Sequence, residues 1–291
     1  MLSILSALLL PALLAPAPLT APAALAQDPT FEERLATLAE RMEEERISNH
    51  IPGIALAVVK DGEIVFAKGF GLADVEQGLP VKPETIFAIG SSTKAFSSTL
   101  IGMLQDDGKL DFDDPVTKYL PYFDLPIDAE EGLDGSSVTL RDMLCHRTGF
   151  TRMSMLWGTG EVARENILRT AVHAEPWAGF RKKFLYNNVM YLAAGTASGV
   201  AGGASWDDLI KQRLLVALDM DATTLSVSEA QKDARLALGY EWNEDSESFD
   251  HKNMLDLYSI GPAGSINSNV LDMANWLNFQ LADGEHEGQR L

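Results

Sequence analysis

Cysteine is almost absent from this chain: Cys145 is the only one in 291 residues, which excludes an intramolecular disulfide framework and any cysteine-rich zinc or iron–sulfur centre. That thiol reads as a small buried hydrophobe. Positive charge is scarce as well. With 23 Lys and Arg against 42 Asp and Glu, the formal net charge is -19, so no basic face invites phosphate backbones or anionic lipid, which argues against nucleic acid as a partner. The five histidines, His50, His146, His173, His251 and His286, lack metal-ligand spacing and read as structural or surface groups. No repeat is present, and no unbroken apolar run approaches the ~20 residues of a bilayer span, so stable membrane insertion is not expected.

The residues that remain describe a globular protein. A content of 46% hydrophobic and 22% charged residues supports one large core or two lobes. The first 26 residues carry no charge and end in Ala24-Leu25-Ala26, the pattern of an export signal cleaved after Ala26, although four prolines interrupt it and no basic residue precedes it. The expected location is periplasmic or secreted.

Phe31, Leu35, Leu38 and Met42 recur at helical spacing, predicting an amphipathic helix to about Ile47. Two β-rich runs, Ile54–Val59 and Ile64–Ala67, flank Asp61-Gly62, a strong hairpin signal. Phe96, Leu100, Met103 and Leu104 share one face of a helix expected from Ser91 to Asp107, stopped by Gly108. Beyond it the pattern is helical and loopy, with helices expected near Leu140–Cys145, Glu161–His173 and Val189–Ser198. The acidic stretch Glu241–Asp250 reads as a surface hairpin or loop, and Ser268 as the cap of a last helix to about Leu281. The hairpin is the only clear sheet signal, and a lone hairpin is marginal in water.

Two short strings could carry chemistry. Ser91-Ser92-Thr93-Lys94 is the only S-x-x-K; a string this short arises by chance in a chain of this size, so its placement carries the argument. Residues three apart on a helix share a face, which sets the Lys94 ammonium beside the Ser91 hydroxyl, at a helix N-terminus whose free N–H groups favour an oxyanion. The plain alternative is that Ser91 caps the helix and Lys94 is solvated. Tyr186-Asn187-Asn188 is the only Y-x-N and again opens a helical run.

In this order and these contexts, the sequence resembles the serine β-lactamase and penicillin-binding-protein superfamily, most of all the class C-type branch that includes esterases and D-amino-acid peptidases. The resemblance runs from about Ile51 to Leu291. It includes Ile51-Pro52-Gly53, Gly69-Phe70-Gly71, Ile86–Gly90, Asp114-Pro115-Val116 with Tyr119-Leu120-Pro121, Leu144–Gly149 and Gly261–Gly264. It implies an α/β (α+β) fold: an antiparallel sheet flanked by helices (27–110 and 258–291) and an inserted all-helical lobe (111–257), forming one domain over 27–291. It also implies an acyl-enzyme on Ser91, with Lys94 easing deprotonation and Tyr186 acting as, or sharing, the general base. Asn188 would bind a substrate amide or Lys94, and the Ser91 N–H would supply half of an oxyanion hole. No metal or organic cofactor is implied, and the partner is a small-molecule or peptide substrate.

The family's third motif, K-[ST]-G or H-x-G on a strand, has no strand-like match; His286-Glu287-Gly288 fits literally but sits in an acidic turn. We therefore expect a C-terminally truncated hydrolase with an incomplete sheet. A general esterase or peptidase ranks above a dedicated β-lactamase. A non-catalytic module that captures a cell-wall peptide or antibiotic, or an inactive fragment, are the alternatives.

Overall fold

The computed structural model describes residues 28–127 and 132–291; the leader expected at 1–26 lies outside the described residues. Helix α1 (Phe31–Ser48) opens on a capping box in which Thr30 Oγ1 accepts from Glu33 N at 3.2 Å and the Glu33 carboxylate accepts from Thr30 N at 2.7 Å, satisfying two orphan amides reciprocally. Its half-buried stripe rests on β2. Strands β1 (Gly53–Lys60) and β2 (Glu63–Asp74) form the expected antiparallel hairpin. Asp61 and Gly62 have φ of 53° and 84°, the left-handed pair that a tight two-residue hairpin turn demands. Strand β3 (Leu79–Pro80) extends this sheet in the order β1-β2-β3, and the outer edge of β1 pairs with no strand among the described residues.

Strand β4 (Phe87–Ala88) and a 3-10 turn at Gly90–Ser92 lead into α2 (Thr93–Asp106). The long middle of the chain contributes α3 (Leu140–Leu144), α4 (Arg164–Ala171), α5 (Asn188–Gly202), α6 (Trp206–Ile210) and α7 (Val227–Ala230). A hairpin of β5 (Gly239–Asn243) and β6 (Ser248–Lys252) follows, then α8 (Gly261–Gly264), β7 (Asn267–Ser268) and α9 (Val270–Leu281). Strands β8 (Glu285–His286) and β9 (Gln289–Arg290) close the chain as a small hairpin. The architecture is the expected mixed α/β one, with small sheets and helices on both sides of α2.

The core is centred on α2 and α5. Phe96, Leu100, Ile101 and Leu104 of α2 are fully buried with Val189, Met190, Leu192 and Ala193 of α5. Phe96 stacks on Trp276 of α9 at 3.8 Å between ring centroids, tying the helix that carries the S-x-x-K string to the helix behind β1. The acidic stretch expected as a hairpin or loop is the β5–β6 hairpin. It docks by its aromatic residues: Trp242 stacks on His50 at 4.0 Å, and Tyr240 Oη accepts from Val75 N at 2.9 Å.

Four details differ from the sequence reading. The lobe expected as all-helical over 111–257 contains the β5–β6 hairpin, residues 239–252. Cys145 is exposed, not buried: α3 is a single short turn whose inward face is taken by Leu140, Asp142 and Met143, and Cys145 stands at its C-cap. The cap of α9 is Asn269, whose Oδ1 accepts from Leu271 N and Asp272 N at 3.0 and 2.8 Å, while Ser268 pairs in β7 with Phe87. The helix expected at Glu161–His173 is confined to Arg164–Ala171. Truncating the stacked core aromatic by Phe96→Ala is expected to cost about 3–5 kcal/mol, read as a lower urea midpoint at unchanged m-value.

Candidate active site

Ser91 lies in the 3-10 turn ahead of α2, directly after Gly90, whose φ of 51° belongs to the left-handed region. Its hydroxyl does not act as a cap. It lies 2.6 Å from Tyr186 Oη and 3.1 Å from Lys94 Nζ, and Ser92 at the N-cap of α2 makes no side-chain cap bond. Lys94, one turn on, is only 7% exposed. Its ammonium donates to Ser91 Oγ, to Asn188 Oδ1 at 2.8 Å and to the Ala263 carbonyl at 2.7 Å. An ammonium has three protons to donate, so this buried cation is satisfied.

Tyr186 and Asn188 reach the site because the chain before α5 is pinned. Asn187 caps α5, its Oδ1 accepting from Val189 N and Met190 N at 2.8 and 3.3 Å, and its Nδ2 donates to the Thr151 carbonyl. Leu185 N donates to the His146 carbonyl at 2.7 Å, and Asn187 N donates to His146 Nδ1 at 3.1 Å. Tyr186 is thereby held over the His146 ring, 4.5 Å away, and the structure brings all four sequence-predicted residues into one hydrogen-bonded cluster.

The electrostatics follow from this crowding. Burial pushes the Lys94 ammonium below the usual lysine range, against the neighbouring Tyr186 phenol, which holds it up. Burial alone would raise the Tyr186 phenol. Hydrogen bonds with Lys94 and Ser91, and the charges of Lys94 and Arg152, outweigh burial and bring the phenol below the usual tyrosine value. His146, 6% exposed, is lowered to about 4, first by burial and then by the charge of Lys94. A hydroxyl beside a phenol whose ionised form is favoured by its neighbours, with a cation fixed between them, is an arrangement suited to nucleophilic attack.

Sequence reasoning overlooked three contributors. The Ala263 carbonyl has no side-chain signature, although Gly261–Gly264 carried part of the resemblance. His146 is structural, as expected, but its structural task is to seat Tyr186. Arg152 lies with its guanidinium 5.1 Å from the Tyr186 ring centroid and shows no periodicity to mark it. Apart from this site, the donor atoms of Asp219, His286 and Glu287 lie within 4.8 Å of one another and could hold a cation; long sequence separation hides that grouping. A surface cleft of about 730 Å³ lies elsewhere, beside Asp74, Lys82 and Arg235.

The Beta-lactamase family profile matches residues 31–291. The chain belongs to this family. Among solved structures, the octameric penicillin-binding protein homologue of Pyrococcus abyssi is similar at 30% identity with a TM-score of 0.76, over 86% of this chain and 57% of that one. A class C β-lactamase in complex with cefoxitin shares the fold, at 23% identity and a TM-score of 0.69, over 84% of this chain and 65% of that one. Among curated proteins, the unguisins hydrolase ungD' of Aspergillus campestris is 31% identical over 241 residues, 80% of this chain and 44% of that protein. Protein flp of Staphylococcus aureus strain MW2 is 27% identical over 80% of this chain and 46% of its own length. The chain thus spans about half the length of these curated relatives.

The low His146 value sets a pH dependence. In the unfolded chain an imidazole binds its proton near 6.5, whereas the folded His146 does so at about 4. The unfolded state therefore holds more protons across that window, and stability falls as pH drops from about 6.5 toward 4. His146→Gln is expected to flatten this part of the stability curve, followed by urea unfolding at several pH values, and NMR of the folded protein is expected to show His146 neutral at pH 5.5.

Proposed function

We propose that the protein is an exported serine hydrolase that cleaves amide or ester bonds through an acyl-enzyme on Ser91. The observation that carries this reading is the 2.6 Å contact between Ser91 Oγ and Tyr186 Oη, with the Lys94 ammonium 3.1 Å from the same hydroxyl. Membership of the Beta-lactamase family and the name of the fungal relative, a hydrolase, support hydrolysis over capture without turnover.

The chemistry follows from these groups. Tyr186, as phenolate, takes the Ser91 proton as Oγ bonds to the substrate carbonyl carbon, and the carbonyl π pair moves onto oxygen. A backbone N–H donor to that oxyanion contributes about 3 kcal/mol, and the Ser91 N–H is the donor we assign. The tetrahedral centre collapses, the bond to the leaving nitrogen or oxygen breaks, and the leaving group carries away the proton held by Tyr186. Water then attacks the ester and gives one proton to Tyr186; the acid departs as Ser91 Oγ recovers that proton. Lys94 keeps negative charge favourable on both oxygens throughout. Asn188, through Oδ1, fixes the lysine. The substrate is a small molecule or peptide met in the periplasm or outside the cell, where the leader of residues 1–26 would send the chain.

The test is covalent labelling of the full-length protein by a fluorophosphonate, mapped by mass spectrometry. Adduct on Ser91 in the wild type and none in Ser91→Ala is expected, and unlabelled wild type overturns the reading. Steady-state turnover of a chromogenic ester separates a hydrolase from a binding module, which stops after one equivalent.

A further inference from the structure

Eight of the twelve arginines in this acidic protein are matched by a carboxylate. Arg141 meets Asp113, Arg164 meets Asp207, Arg181 meets Asp142 and Arg213 meets Asp107. Arg152 is one of the other four. Among the described residues it has no carboxylate partner; its recorded neighbour is the ring of Tyr186, 5.1 Å from the guanidinium carbon. A net charge of -19 makes acceptors plentiful, so a cation set against a phenol instead is conspicuous.

The backbone holds Arg152 there. The Thr151 carbonyl accepts from Asn187 Nδ2, and Met153 takes a left-handed φ of 50°, a conformation rare for a side chain of its size. Asn187 is also the cap of α5. One amide therefore fixes both the loop that bears Arg152 and the helix start that bears Asn188, on either side of Tyr186. The phenol also has Lys94 Nζ at 4.6 Å from its ring centroid. Two cations thus attend one ring, and a cation near a π face strengthens its hold as the ring gains negative charge.

We infer that Arg152 is a positioning residue of this site, whose guanidinium holds negative charge on the Tyr186 oxygen so that the phenolate form meets Ser91. This rests on the reading of Ser91 as nucleophile. The groups that face Tyr186 are Ser91 from the 3-10 turn, Lys94 from the start of α2, and His146 and Arg152 from the loop between α3 and α4; from α5, Asn188 bonds Lys94 and Tyr191 lies against the His146 ring. His146 is lowered to about 4 and is neutral above that. Burial pushes Tyr191 upward, leaving it uncharged as well. Lys94 is the remaining charge, and it is buried and bonded to fixed acceptors. Arg152 is the one cation of the pair that faces solvent, so it can be replaced without emptying the core.

The experiment measures the second-order rate of fluorophosphonate labelling of Ser91 in the full-length protein between pH 5 and 10. Arg152→Gln is expected to move the acid-side midpoint upward by about half a unit to one unit and to slow labelling at pH 7 by roughly threefold to tenfold. Arg152→Lys is expected to recover most of the rate. The wild-type advantage over Arg152→Gln is expected to shrink in 1 M salt, because an exposed cation is screened. In a Tyr186→Phe background the Arg152→Gln change is expected to have no further effect, since the two residues then share no interaction to lose. A midpoint unchanged in Arg152→Gln, with Ser91 still labelled, overturns the inference and leaves the serine reading standing. A wild type that is never labelled at Ser91 overturns both. A purely structural role for Arg152 predicts lower stability with an unmoved midpoint, and circular dichroism melting of each variant distinguishes that outcome.

Discussion

The structure depends on keeping one ammonium group out of water. Lys94 is a charge in the heart of the molecule, and it is tolerable there because three oxygens from three separated stretches converge on it: Ser91 beside it in sequence, Asn188 at the head of α5 and Ala263 in α8. An uncompensated buried charge costs several kcal/mol, so each of these stretches is constrained by the need to deliver its acceptor. The delivery of Ala263 relies on close packing of α8 against α5. A Cβ at Gly195 would lie 2.4 Å from the Pro262 ring, so a glycine is needed at that crossing. The same contact seats Pro262 where its carbonyl accepts from Ser97 Oγ at 2.7 Å.

A second charge cluster organises the opposite wall. Asp142 is completely buried yet faces Arg147 and Arg181, and it also accepts from Thr139. Burial pushes its carboxyl up, but the two guanidinium groups and these hydrogen bonds win, and it ionises below the usual aspartate value. This hub clips the turn after α3 to the loop that approaches Tyr186. Arg181 N donates to the Arg147 carbonyl at 2.8 Å, and Leu185 N to the His146 carbonyl at 2.7 Å, so the loop is laid alongside like a short edge strand. The tyrosine is thus aimed by ion pairs and amides several residues away from it.

How much of this could be read from the chain differs by kind of signal. The β1–β2 hairpin was plain because Asp61-Gly62 is a local signal, and local signals survive folding. The S-x-x-K and Y-x-N strings were legible through helical spacing and their co-linear company, although spacing alone left Ser91 as cap or nucleophile until the tertiary contact with Tyr186 decided its environment. Strands β4 and β7 were invisible, since two residues carry no period and the pairing of Phe87 with Ser268 is entirely long-range. Cys145 is exposed because α3 is too short to present an inner face at its C-cap. Ala263 and Arg152 were missed for a shared reason: one acts through a backbone carbonyl and the other through a loop whose path is set by Asn187.

Beneath the reacting groups runs a second, quieter line of polar atoms. Trp206 Nε1 donates to Ser97 Oγ at 3.0 Å, and Ser97 Oγ in turn donates to the Pro262 carbonyl, so α6, α2 and α8 are cross-braced one turn below Lys94. All three atoms of this brace are buried, and none has solvent to exchange with. The lysine and its acceptor Ala263 ride on two of the braced elements. The position of the lysine and that of its acceptor are thus set by the same buried brace.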